Sequence, residues 1–146
     1  MSMPTPFQFN DGGRAAAGYR GKAKGDCGAR ALAIVAQIPY VEACALVNEY
    51  AEQERPRGTN KRSNAQTGVW VDTMKKILRD LGFIWTPTMG IGTGCTVHLT
   101  ASELPAGRIL VRTSRHYTSM INGIIHDTYD PSREGTRCVY GYWRKV

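Results

Sequence analysis

The dipeptide Asn122-Gly123, set between Ile121 and Ile124, constrains this chain more than any other short stretch. Both residues accept the positive φ that a two-residue hairpin turn demands, so the flanking runs HYTSMI and IIHDTYD read as paired antiparallel strands. The turn also sets a register. Ile121 faces Ile124, Thr118 faces Asp127 and His116 faces Tyr129. Directly paired residues share a sheet face, which makes His116 and Asp127 diagonal neighbours on one side and puts His126 and Asp130 on the other. A three-residue loop would slip the register by one, turn Asp127 away and bring Asp130 beside His116. A kink at Asp130-Pro131 would also favour Asp130. The two-residue turn selects Asp127, with Asp130 as the alternative.

A second constellation lies upstream. In GDCGARALAIVAQ a turn-forming Gly25-Asp26 pair runs into a segment rich in Ala, Leu, Ile and Val, the composition of a buried helix. Cys27 stands at its start, where the positive end of the helix dipole favours thiolate over thiol. Its N–H precedes the first intrahelical bond and is available to an oxyanion, while Gly28 is expected to leave space on the substrate side. A thiol at a helix N-terminus, with an imidazole and a carboxylate on paired strands, is what a cysteine nucleophile requires. The expected site is Cys27, His116 and Asp127. The remaining histidines are expected to be lesser: His98 as a strand residue satisfied by its neighbours, and His126 on the far face of the hairpin.

The rest of the chain reads as one α+β domain. Residues 1–24, rich in Gly, Pro and polar groups, form an extended arm, and 25–146 form the domain. Helices are expected from Cys27 to Gln37, and from Val41 to Glu54 with Val41, Cys44 and Ala45 inward. A third shows Val71, Met74, Ile77, Leu78 and Leu81 at spacings of three and four and is capped by Gly82. Strands are expected from Phe83, at Thr96–Leu99, from Arg108 to Thr113, in the hairpin and from Val139 to Trp143. The run Gly90-Ile91-Gly92-Thr93-Gly94 lacks the lysine and following helix of a phosphate loop and reads as a turn. Helices first and antiparallel strands second define the class.

Composition narrows the function. At 146 residues with 42% hydrophobic content the chain can bury a core of its own. No apolar run approaches the roughly 18–20 residues of a membrane span, and MSMPTPFQFNDGGR does not resemble a secretory signal, so a cytoplasmic protein is expected. Cys27, Cys44, Cys95 and Cys138 form no CxxC pair and are read as reduced thiols, Cys44 and Cys138 as small core residues. No metal or cofactor is expected, since no ligand pair shows the usual short spacing. The net charge of +7 is clustered, with Arg14, Arg20, Lys22 and Lys24 ahead of the cysteine helix and Arg55, Arg57, Lys61 and Arg62 in an acid-free loop. That loop suits an acidic partner; nucleic acid is disfavoured because no aromatics are interleaved for base stacking.

The order of these features resembles the papain-like cysteine peptidase superfamily. GDCGARAL is similar to the Asp-Cys-Gly start of the peptidases that remove double-glycine leaders. HYTSMI followed by TYDP is similar to their His-aromatic strand and Asp-Pro ending, an alignment that would make Asp130 the acid. Ovarian-tumour-type deubiquitinases share the Arg-Ala-Leu continuation, and Nlp-type cell-wall peptidases share Asp-Cys and a second histidine that His126 matches. The resemblance implies a helical part carrying Cys27 packed on a C-terminal antiparallel sheet, a Cys-His-Asp triad and a peptide or protein substrate; the small size of the chain suggests a bacterial or phage protein. It departs from the family at Gly21, where an oxyanion-hole Gln usually stands six residues before the cysteine; either a backbone group or an asparagine such as Asn10 substitutes, or the hole is incomplete. The alternative is a catalytically inactive papain-like binding module that uses its basic surface.

Overall fold

The computed structural model describes residues 5–21, 25–55 and 61–145. Nine elements follow in the order β1 (Phe7–Phe9), α1 (Cys27–Ala36), α2 (Tyr40–Ala51), α3 (Val71–Asp80), β2 (Phe83–Pro87), β3 (Arg108–Thr113), β4 (His116–Ile121), β5 (Ile124–Asp127) and β6 (Val139–Lys145). The class is α+β. The strands form one sheet in the order β1-β5-β4-β3-β6-β2.

The sheet is mixed, which corrects the expectation of an antiparallel one. Part of the segment expected to be an extended arm is a strand, with Phe7, Gln8 and Phe9 running parallel to Ile125, His126 and Asp127. This strand covers the outer edge of β5, which would otherwise offer unpaired backbone groups to other chains. A three-residue strand of exposed side chains leaves no periodic signal to read. All other pairs are antiparallel.

Strand alternation builds two cores. On one face Leu110, Tyr117, Trp143 and Phe83 pack with Leu32, Val35, Val47, Met74, Ile77 and Leu78 from the helices. On the other, Ile109, Val111, Met120, Ile125 and Val139 pack under Leu99 and Leu104. Residues one apart on β3 point to opposite cores, as the two-residue period of a strand requires.

Helix α1 ends where Gln37 adopts φ +58°, a left-handed cap whose N–H returns to the Ala33 carbonyl. Ile38-Pro39 follows. In α2 the buried face is Tyr40, Ala43, Cys44, Val47 and Ala51. Val41 and Ala45 are exposed, contrary to expectation, because the helix begins at Tyr40 and its phase is set by that buried aromatic ring. Past α2, the buried Glu54 carboxylate accepts from the Ser63 N–H and the Thr73 hydroxyl, tying both flanks of the basic loop to α3. Helix α3 carries the apolar stripe as expected, and Gly82 takes φ +90° just beyond it.

Two cysteine expectations are corrected. Cys95 and Cys138 form a disulfide across a sequence separation of 43 residues. They meet because residues 97–99 pair with 137–139, through a His98–Cys138 bridge and Leu99 N–H to Arg137 C=O and Val139 N–H to Val97 C=O bonds. Cys138 is therefore a cross-link rather than a small core residue. Cys27 and Cys44 are free, and Cys44 is buried as expected. No single helix among the described residues is long and apolar enough to cross a membrane.

Candidate active site

The Asn122-Gly123 turn adopts φ +49° and +81°, the left-handed pair a type I′ hairpin needs. The observed pairs are Ile121–Ile124, Met120–Ile125 and Ser119–His126, the register read from the sequence. One step further along, Thr118 and Asp127 are joined directly, the Thr118 hydroxyl donating to Asp127 Oδ2 at 2.7 Å.

His116 and Asp127 meet at the same place. His116 Nε2 lies 2.8 Å from Asp127 Oδ2, with both side chains buried. A carboxylate only accepts, so Nε2 carries the hydrogen and Nδ1 is the nitrogen left for another partner. The Cys27 thiol faces His116 and the Tyr117 backbone N–H, both of which favour its thiolate. The Tyr129 hydroxyl lies 3.5 Å from Nδ1, and its ring packs on the imidazole at 5.3 Å between centroids. Asp130 does not approach: it is exposed, and its Oδ1 accepts the Ser132 N–H at 2.9 Å as part of the turn after β5.

The second oxygen of Asp127 has its own partners. Oδ1 accepts the Thr128 N–H at 2.7 Å and Arg30 Nη1 at 3.2 Å. Arg30 projects from α1, where its Nε bonds Asp26 Oδ1 at 3.0 Å one turn back, and its Nη1 also reaches the Thr128 hydroxyl at 2.8 Å. The guanidinium thus spans from the residue before Cys27 to the carboxylate behind His116. Asp26 is itself buried, paired with Arg14 Nε at 3.0 Å and with the Tyr40 hydroxyl at 2.7 Å. The i,i+4 spacing of Asp26 and Arg30 was visible in the sequence as a helical ion pair. The connection to Asp127 was not, since it joins residues 97 apart.

Charge flows accordingly. Burial pushes the Cys27 thiol up, but the His116 hydrogen bond and charge, the Tyr117 N–H and the Arg30 charge outweigh it and leave the thiol below its ordinary range. Burial pulls His116 down, but Asp127 and Cys27 together hold it above the usual imidazole value. Burial likewise disfavours the Asp127 carboxylate, yet bonds from His116, Thr118 and Thr128 keep it more acidic than usual. The three shifts agree in sense: the imidazolium stabilises both the thiolate and the carboxylate and is stabilised by each of them.

Gly28 serves a different purpose from the one expected. A Cβ there would come within 2.9 Å of Val69 Cγ2 and 3.3 Å of Met74 Cε and of Tyr117 Cδ2, so the residue faces the core and not a substrate. Glycine lets α1 sit against β4 and α3 and carry Cys27 to His116. Gly28→Ala should therefore lower the denaturation midpoint, by a net amount on the order of 1 kcal/mol, because overpacking exceeds the gain in helix propensity. Urea titration of the two proteins checks this.

Asn10 and His126 line a small cavity together with Cys27 and Asp127, whereas the remaining candidates fall elsewhere. The Asn10 amide is engaged, donating from Nδ2 to His126 Nδ1 at 3.1 Å while its Oδ1 accepts the Gly12 N–H. Gly21 is exposed with φ +81°. Arg55, Lys61 and Arg62 are exposed, and Arg57, like Lys22 and Lys24, lies outside the described residues. An open groove of about 940 Å³ runs between the N-terminal segment and the chain after β5, walled by Phe9, Arg14, Tyr19, Arg20 and Tyr129. Tyr129 joins it to the His116 ring. No family model, curated protein or solved structure matches this chain.

Proposed function

We propose that this protein is a cysteine peptidase or a related thiol acyl-transfer hydrolase of papain-like organisation, acting on an amide or isopeptide bond. One observation carries the reading: the His116 ring is held between the Cys27 thiol and the Asp127 carboxylate, with the thiol driven toward thiolate. Burial alone would have driven it the other way.

In this reading Cys27 Sγ attacks the carbonyl carbon and forms a tetrahedral adduct, whose oxyanion takes a hydrogen bond from the Cys27 N–H. The His116 imidazolium gives its proton to the leaving amine as the C–N bond breaks, leaving a thioester on Cys27. His116 then takes a proton from water, or from an acceptor amine, as that nucleophile displaces the thiolate. Asp127 holds the ring and the cation throughout. The groove beside Tyr129 is the natural seat for the substrate chain, with Arg20 and Asp11 among the charged groups that line it. The exposed cations Arg55, Lys61 and Arg62 are available to an acidic partner.

Alkylation tests the nucleophile without knowledge of the substrate. At pH 6–7 iodoacetamide should modify Cys27 at least about tenfold faster than Cys44 in the native protein, since thiolate fraction changes tenfold per pKa unit. Burial and the Asp26 charge raise the Cys44 thiol despite its bond to Tyr40. The sign follows from the shifts. The Cys27 rate should rise at pH values below those of an ordinary thiol, then hold through the range where His116 keeps its proton. Hydrolysis of a peptide library should vanish in Cys27→Ala. Equal labelling of Cys27 and Cys44 would sink the proposal and leave a binding module with a peptidase-like frame.

A further inference from the structure

We propose that Cys95, His98 and Cys138 form a redox-gated site for a divalent cation of the zinc type, separate from the Cys27 centre. Their ligand atoms lie within 4.8 Å of one another. The set of two thiol sulfurs and one imidazole is one that zinc takes with a fourth, exchangeable position left to water.

The imidazole is what distinguishes this cluster from a simple cross-link. His98 Nδ1 lies 3.1 Å from Glu103 Oε1, and the same oxygen accepts the His98 backbone N–H at 3.3 Å. A carboxylate cannot donate, so the neutral ring carries its hydrogen on Nδ1 and its lone pair on Nε2. That lone pair lies 3.5 Å from Cys95 Sγ. A disulfide sulfur has no hydrogen to offer it, so in the oxidised state the contact satisfies nothing. A carboxylate behind the ring and a free lone pair facing two sulfurs is the outer-shell pattern of a metal-bound histidine. The strand pairing holds His98 opposite Cys138 by backbone bonds that do not depend on the disulfide, and Cys95 stays near them as the residue three before His98. Cys95 and His98 also stand three residues apart, a ligand spacing the sequence reading overlooked.

The interconversion balances. A dithiol reductant supplies two electrons and two protons, breaks the Cys95–Cys138 S–S bond and leaves as its own disulfide. The cation then displaces one proton from each new thiol and accepts three lone pairs, two from thiolate and one from Nε2. Two thiolates neutralise its charge. Oxidation reverses both steps and releases the cation, making metal content a readout of redox state.

Cobalt(II) is the probe. The full-length Cys27→Ala protein, reduced with a phosphine under nitrogen, should bind one equivalent, with a thiolate-to-cobalt charge-transfer band and tetrahedral d–d bands. Added zinc should displace it. Cys138→Ser should abolish the charge-transfer band or weaken binding by at least about a hundredfold. Glu103→Gln, a surface change that leaves all three ligands in place, should weaken binding by about ten- to a hundredfold. The oxidised protein should show none of these bands. Absence of the charge-transfer band in the reduced protein overturns the proposal. So does binding that is unchanged in both Cys138→Ser and Glu103→Gln, or an identical spectrum from the oxidised protein.

Discussion

Asp127→Asn should slow alkylation of Cys27 at neutral pH by about ten- to a hundredfold while leaving the chain folded. A carboxylate beside an imidazole raises its pKa by about 1–3 units, and each unit lost lowers the thiolate fraction it supports about tenfold. An amide of the same shape keeps the oxygen that Arg30 and Thr128 address but removes the charge that favours imidazolium. Turnover, once a substrate is in hand, should fall further, because the neutral amide can also hold the wrong tautomer. The pH profile separates this from a packing defect. The Cys27 rate should move toward that of an ordinary thiol, whereas a merely loosened site would lose amplitude without shifting its midpoint. Asp130→Asn is the matched control, and it should change neither rate nor profile, since Asp130 caps the turn after β5. A larger effect from Asp130 than from Asp127 would reverse the assignment of the acid.

Arg30→Met should be the most destabilising single change near the site, costing about 3–5 kcal/mol, the usual consequence of removing one partner from buried ion pairs. The side chain is nearly buried, as are both carboxylates it joins. Asp26 retains Arg14 and Tyr40, and Asp127 retains His116 and Thr118, but each is left with a lone pair facing the void of a missing guanidinium. Arg30→Lys should recover little, because one ammonium cannot reach Asp26, Asp127 and the Thr128 hydroxyl in the planar geometry of the fork. Urea midpoints measure the loss. In the variant that remains folded, Cys27 labelling should also slow, since the Arg30 charge helps hold the thiol low. Stability equal to wild type in Arg30→Met would mean that the two carboxylates are independently satisfied.

Acid should weaken the same region. Asp127 has a depressed value in the fold, so its contribution is present above the unfolded carboxylate range and is lost as pH falls through the folded value. His116 works in the opposite sense, contributing below its unfolded value and ceasing to do so as pH rises through its raised folded one.

The hairpin was legible because its determinants are local. Asn122 and Gly123 accept positive φ, and the pleat carries the resulting register outward to Thr118 and His116 without help from the rest of the chain. The α3 stripe and the cap at Gly82 were legible for the same reason: their period and breaker lie within one element. The phase of α2 was not, since Val41 and Ala45 are as apolar as the residues that are buried, and only the packing of Tyr40 chooses between the two faces.

Among the candidate site residues, the sequence alone placed His116 and Asp127 on one face and Cys27 at a helix start. Whether the helix start would arrive at the hairpin was a matter of packing, settled by Gly28 fitting against Val69, Met74 and Tyr117. The same holds for Arg30 on Asp127, for β1 beside β5, and for the Cys95–Cys138 link. Each joins segments distant in the chain, by contacts whose partners carry no short-range pattern. Backbone preference acts over a few residues and can be read from them; burial and pairing act through space, and only the folded chain decides which groups they bring together.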